Sequence, residues 1–382
     1  MLSMTSRERV LAAVNLSIPD RVPMDLGGST CSTITIEPYL TLKKMLGFEG
    51  EANIVTKIYQ TVFVDRPVAE ALNVDTCMVH ARDPKLPPQE SPDLFTSDWG
   101  ITYQRTSKGD NFYWDIVKNP LKGATIEDLE NYPWPDPFSP ERTEGLKQEA
   151  KKLHEETDYA VIGNIGFSGI FEASWMLRGF EDFLVDLMVN KDFAHALLRK
   201  VTNIMIDRYK GFLDEVKDYL DLVFIGDDLA TQAAPIMSVE TYREMIKPYQ
   251  KEYFEFVKSY SGKKLIYHSC GNIVPILNDL IEIGVNAINP VQVSADNMDP
   301  IYLKEKFGDR VCFWGSVDTQ RVMSKGTPEE VRKEVLERIK VFGQNGGFVL
   351  APVHNVQFDV PAENVLALYE TGYKYGKYPL DV

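Results

Sequence analysis

Cysteine and histidine are scarce in this chain of 382 residues, with four of the first and five of the second. Four scattered thiols (Cys31, Cys77, Cys270, Cys312) in so long a chain exclude a disulfide framework and leave free thiols or metal ligation as their uses. Positive charge is also short: 41 Lys and Arg stand against 56 Asp and Glu, a net charge of −15 at pH 7. A surface of that sign repels phosphate backbones and anionic headgroups, so neither nucleic acid nor a membrane surface is an expected partner. Long apolar runs are missing too. None reaches the roughly 18 residues that span a bilayer, and the opening MLSMTSRERV lacks the apolar stretch of a signal peptide, so a cytoplasmic protein is expected. What the chain does have is 44% hydrophobic residues, enough for one large α/β core or two average ones.

Thr5 and Glu8 have capping-box spacing ahead of the apolar stretch Val10 to Val14, which predicts a short opening helix ended by Pro19 and Pro23. The following RVPMDLGGSTCSTITI is strand-like but broken by Gly27 and Gly28, as in a loop beside a pocket that Cys31 can line. Proline is dense between about residues 84 and 140, which blocks long helices and central strands and reads as an insertion. Inside it DWGITYQR and NFYWDIVK flank TSKGD, whose Gly109 and Asp110 suit the turn of a hairpin, either a packing flap or a part of the site.

From about residue 140 helix-length amphipathic stretches alternate with short β-branched runs, the pattern of parallel strands with crossover helices. The runs are Tyr159 to Gly169, Asp221 to Gln232, Lys263 to Asn272, Asn286 to Gln292, Arg310 to Gln320 and Gly346 to Asn355. With two further strands near Val22 to Leu26 and Thr76 to His80 they make a closed (β/α)8 TIM barrel. A doubly wound sheet is the alternative, but no G-x-G-x-x-G follows any run. The expectation is a single barrel domain over 1–382 with an N-terminal extension and a Pro-rich hairpin insertion.

Functional groups of such a barrel gather where strands end. Asn164, Asp227, Asp228, His268, Cys270, Gln292, Asp318, Gln320 and His354 all fall there. In His268-Ser269-Cys270 the imidazole and thiol stand two apart on one side of an extended chain and can converge on one ion, with His354 at the last strand end closing the ring. Two nitrogens and a thiolate suit Zn²⁺, and three protein ligands leave the open position of a catalytic site. Alone, H-x-C also fits a histidine satisfied by backbone groups beside an inert cysteine. Asp227 and Asp228 follow a buried apolar run, where adjacent acids call for a cation or proton nearby or else cap the next helix. Glu172, at the predicted start of a helix, is a candidate ligand, proton carrier or dipole-satisfying acid. His154 and His195 sit in helix-like, partly charged stretches as surface or interhelix residues, and Cys312 lies inside a strand as a packing residue. Trp175, Trp314 and Tyr267 are candidates for an aromatic pocket wall.

The succession GDDLATQ, YREMIKPY, HSCGNI, NPVQ, FWGSVDTQ and APVHNVQFDVPAENV, over roughly residues 160 to 375, resembles the uroporphyrinogen decarboxylase superfamily, and RERVLAAVN-x-x-x-PDRVP is similar to its N-terminus. The resemblance implies a (β/α)8 barrel with its cleft at the C-terminal face. It also implies one of two chemistries. True uroporphyrinogen decarboxylases carry an M-R-Q-A-G-R segment whose arginines bind the porphyrinogen carboxylates; the equivalent residues 24 to 33, MDLGGSTCST, contain no arginine. The other branch, similar to methylcobalamin:coenzyme M methyltransferases, holds zinc through H-x-C and a distant cysteine. His268 and Cys270 match its first two ligands, whereas His354 stands where that branch has cysteine.

The expected activity is therefore a zinc-dependent transfer of a methyl group between a small molecule and the cobalt of a separate corrinoid protein, since no D-x-H-x-x-G cobalamin unit occurs in the chain. Asp227, Asp228 and Glu172 are the expected catalytic acids, Asn164, Gln292, Gln320 and Trp314 the substrate-binding residues, and His268, Cys270 and His354 the metal ligands. Methoxylated aromatics, methylamines and methylthiols are the candidate donors, and a homodimer is an allowed assembly. The alternative is a uroporphyrinogen decarboxylase-like decarboxylase or lyase acting on another small acid.

Overall fold

The computed structural model describes residues 3–86, 89, 91–108 and 111–381. Seven parallel strands form one curled sheet: β1 (Thr76–His80), β2 (Ala160–Asn164), β3 (Leu222–Gly226), β4 (Lys264–His268), β5 (Ala287–Asn289), β6 (Cys312–Val317) and β7 (Phe348–Pro352). Each strand pairs with the next in chain order, the simplest right-handed winding of β–helix–β units. All six runs expected beyond residue 140 hold a strand, trimmed to their buried β-branched centres, and Thr76–His80 is a strand as expected.

The eighth position departs from expectation. Val22–Leu26 does lie between β7 and β1, but as a seam and not a strand, with one parallel bridge between Met24 and Leu350. Leu350 N–H donates to Pro23 O (2.9 Å), Asp25 N–H to Leu350 O (3.0 Å) and Asp75 N–H to Met24 O (2.8 Å), which closes the (β/α)8-like barrel. Pro23 offers no N–H and Gly27 turns away at φ +90°, so the ladder cannot extend.

Alternate residues of the strands fill the barrel interior, among them Ile162, Phe224, Cys312, Trp314 and Val349. Val10, Ala13 and Val14 of the helix Ser6–Val14 join this core, and the predicted Thr5/Glu8 capping box is present. That helix lies across the strand N-termini: Arg7 N–H donates to Asp158 O (2.6 Å), and its guanidinium pairs with Asp221, just before β3 (3.0 Å). Beside it, fully buried Asp75 takes Arg9 and Arg21, each at 2.7 Å. With this end plugged and ion-paired, solvent reaches the barrel from the strand C-termini.

Over that face leans the expected hairpin, Thr102–Lys108 against Asn111–Lys118, with a third strand Leu94–Thr96 at its edge. Its Gly109–Asp110 turn lies outside the described residues. Gln60 Nε2 donates to Phe112 O (2.8 Å), and the Tyr113 ring stands 5.9 Å from that of Phe358, in the loop after β7, so the hairpin is fastened to both flanks of the opening. No helix among the described residues is long and apolar enough to cross a membrane.

Candidate active site and metal centre

His268 is the last residue of β4, and its Nδ1 lies 2.6 Å from Asn289 Oδ1 at the end of β5. An amide oxygen only accepts, so Nδ1 carries the proton and Nε2 faces the opening. Cys270 Sγ is 3.5 Å from that Nε2. Two features hold the thiol there. Gly271 takes φ +86°, where a Cβ would meet Thr231 O at 2.3 Å, and Cys270 N–H donates to Asp228 Oδ1 (2.7 Å). Burial, with Asp228 adding to it, pushes the Cys270 thiol up to about 11.

Burial disfavours a charged imidazole at His268, but Cys31 and Cys270 beside it outweigh burial and raise its pKa well above the usual value. The pocket thus favours positive charge at Nε2, which a proton or a metal ion can supply. His354, two residues past β7, packs its ring 5.4 Å from that of His268. Burial and His268 depress its pKa to about 4, so it is the neutral imidazole that metals take. Ligand atoms of Cys31, His268 and His354 lie within 4.8 Å of one another, as do those of Asp228, His268 and Cys270. The donor set fits zinc: Zn–N and Zn–S bonds of tetrahedral geometry would put nitrogen and sulfur about 3.6 Å apart, and Nε2 and Sγ are separated by 3.5 Å.

The two adjacent aspartates face different ways. Asp227 accepts from the backbone N–H groups of Ile170, Phe171 and Glu172 (3.2, 3.1 and 2.9 Å) and from Gln250 Nε2 (3.2 Å). It caps the helix Ile170–Arg178 on the neighbouring β/α unit, not the segment that follows it. Burial still lifts its pKa to about 7 against those donors. Asp228 instead stands 3.7 Å from His268 Nε2. Glu172 accepts from the Asp228 backbone N–H, and burial together with Asp228 and Asp227 raises its pKa well above the usual carboxylate value, which favours its neutral form.

The four residues expected to bind substrate do not gather. Trp314 is buried in the barrel interior with its indole N–H on Asp25 Oδ2 (2.7 Å). Asn164 braces Thr30 Oγ1 (3.2 Å) and Gly166 N–H (2.6 Å), and Gln292 Oε1 accepts from Gly271 N–H (2.7 Å). Only Gln320 reaches the rim, bonded to Gln232 (2.9 Å). Of the expected aromatic wall, Tyr267 is buried with its hydroxyl on Asp227 O (2.8 Å), and Trp175 packs edge-on against Phe180. Tyr59 and Tyr103 stand by Glu172 instead, Tyr59 also by Cys31 and Asp228. Neither tyrosine carried a sequence signal, since each arrives from a hairpin loop or flap by tertiary packing. Cys31 did carry one, in its glycine-broken loop, but not its ligand-like position.

Residues 116–375 match the model of the uroporphyrinogen decarboxylase (URO-D) family. The chain belongs to the URO-D family. Uroporphyrinogen decarboxylases of Chlorobaculum parvum and Chlorobium phaeovibrioides are 27% and 30% identical to it over 219 and 222 residues, 54% of this chain and 58% of each relative. The chain thus spans less than two thirds of the length of the curated relatives it matches. A methyltransferase from Methanosarcina mazei shares the fold of this URO-D member, with a TM-score of 0.66 at 18% identity over 98% of this chain and 99% of that one.

Proposed function

We propose that this URO-D family member is a zinc-dependent methyltransferase that moves a methyl group between a small molecule, first among them a methoxylated aromatic, and the cobalt of a separate corrinoid protein. The observation that carries the reading is that His268 belongs to two ligand clusters at the open end of the barrel, one with Cys31 and His354 and one with Asp228 and Cys270, with the imidazole tautomer set by Asn289. His268, Cys270 and His354 would hold zinc, whose Lewis acidity stabilises charge on the heteroatom that gains or loses methyl.

The chain's own groups supply the rest. Asp228 anchors the Cys270 backbone and sets a carboxyl group beside Nε2. Glu172, protonated, is the group to give a proton to the heteroatom that keeps the bonding pair when methyl leaves. Tyr59 and Tyr103, close enough to interact electrostatically with Glu172, would supply aromatic surface for the substrate. A separate corrinoid protein would dock on the strand C-terminal face. Four unpaired cysteines suit a reducing compartment, so the cytoplasm is its proposed location.

The second reading, a decarboxylase of another small acid, is favoured by the names of the relatives and by a protonated Glu172 able to quench a carbanion. Uroporphyrinogen itself is disfavoured, because residues 24 to 33 offer its carboxylates no guanidinium. The experiment is cobalt methylation of a reduced corrinoid protein, followed by absorption, with aromatic ethers, methylamines and methylthiols as donors. Zinc-loaded wild type is expected to methylate cobalt with at least one donor and Cys270→Ala to lose most of that rate. Full zinc with no methylation by any donor would leave the decarboxylase reading in front.

A further inference from the structure

Cys31 belongs to no strand end and no H-x-C pair, yet its sulfur meets His268 and His354 within 4.8 Å. The loop that carries it is built for that position. Asn355, next to His354, donates from Nδ2 to Thr30 O (2.9 Å) and accepts at Oδ1 from Thr33 N–H (2.9 Å), clamping the loop on both sides of Cys31. Within the loop, Gly27 N–H donates to Ser32 O (2.7 Å), and Cys31 N–H donates to Ser29 Oγ (3.2 Å). Asn164 holds Thr30 from the β2 side. The strand end that sets His354 therefore also sets Cys31, and the sulfur's neighbour within its own loop, Thr30 Oγ1, is a distant 4.0 Å away.

We propose that Cys31 is a metal ligand and supplies a second thiolate beside Cys270, an inference that rests on the metal centre proposed above. Charge favours it. Among the direct ligands, one thiolate with two neutral imidazoles leaves a divalent ion with an excess positive charge, whereas two thiolates neutralise it within the ligand set. As the sulfur–metal bond forms, the Cys31 S–H bond breaks and its proton leaves to solvent, the metal keeping its oxidation state. The bracket from Asn355 removes most of the entropy of ordering that ligand before the metal arrives.

The test uses the full chain with zinc or cobalt(II) alone. X-ray absorption at the zinc edge should show two sulfur ligands per metal in wild type and one in Cys31→Ser. Thiolate-to-cobalt charge-transfer absorption should fall by about half in that variant, and zinc affinity against a chromophoric chelator by about 10- to 100-fold or more. Cys77→Ala, outside the cluster, should match wild type in all three. Circular dichroism checks that Cys31→Ser is folded; if it is not, Cys31→Ala and the wild-type sulfur count decide. Zinc bound at one per chain with a single sulfur, unchanged by either Cys31 variant, overturns this inference and leaves the metal centre standing. A wild type that binds no zinc overturns the metal centre itself, and this inference with it.

Discussion

Asp227 and Asp228 are neighbours in sequence with separable roles. Asp227 satisfies three of the N–H groups that a helix start leaves open, so Asp227→Ala should cost about 1–3 kcal/mol in urea unfolding. Asp228→Asn should leave stability within about 0.5 kcal/mol, because an asparagine oxygen still accepts from Cys270 N–H. Its turnover or zinc affinity should nevertheless fall by about 10- to 100-fold, since the charge near Nε2 is gone. Equal effects of the two substitutions on stability would dissolve the distinction. The sequence made the acidic pair visible but not its division of labour: Asp227 reaches a helix that starts 57 residues earlier, and no local spacing encodes that contact. His268 and Cys270 were legible because their geometry is local, two residues apart past a strand. The partners of Asn164, Gln292 and Trp314 were not legible for the opposite reason, because a polar or aromatic residue near a strand end can turn to a neighbouring loop or inward as readily as toward the opening.

At the level of elements, the helix Ile170–Arg178 depends on a close approach to the strand beside it. Gly169 precedes it, and a Cβ there would lie 2.5 Å from Asp227 Oδ1 and 2.8 Å from Gly226 O. Gly169→Ala should therefore push the helix start away from its cap and destabilise the fold by about 1–3 kcal/mol, measured by thermal or urea unfolding. Because Glu172 sits in that first turn, the same variant should lose activity while its zinc stoichiometry stays near wild type. A silent Gly169→Ala would mean that the cap tolerates a wider gap. Strand positions were legible here since β-branched runs between amphipathic stretches leave few other readings. The Val22–Leu26 segment was legible in place but not in form, because Pro23 and Gly27 break the ladder that its apolar residues suggest.

For the whole molecule, the buried ion cluster around Asp75 and the proposed metal centre occupy opposite ends of the barrel. Asp75, fully buried, is shared by Arg9 and Arg21 and also accepts from Ser6 Oγ and Met24 N–H, at 2.8 Å each. Removing it leaves two guanidinium groups facing a buried void, so Asp75→Ala should destabilise by about 3–5 kcal/mol. Zinc binding by the fraction that remains folded should be unaffected, because no residue of that cluster is among the proposed metal ligands. A metal affinity that falls in step with stability would show that the two ends are coupled.

The seam has a consequence for the order in which the molecule assembles. Met24 meets Leu350, and Thr30 and Thr33 meet Asn355, contacts more than 320 residues apart along the chain. On a ribosome, the Asn355 bracket around the loop bearing Cys31 cannot form until β7 and the residues after it have been synthesised. The first thiol made is thus among the last to find its place, and such distant pairing slows folding. Chains interrupted before residue 350 would carry His268 and Cys270 on an unclosed sheet, with the N-terminal thiol lacking its His354 neighbour and its Asn355 clamp. Possession of a complete cluster then marks a chain that has been read past Asn355.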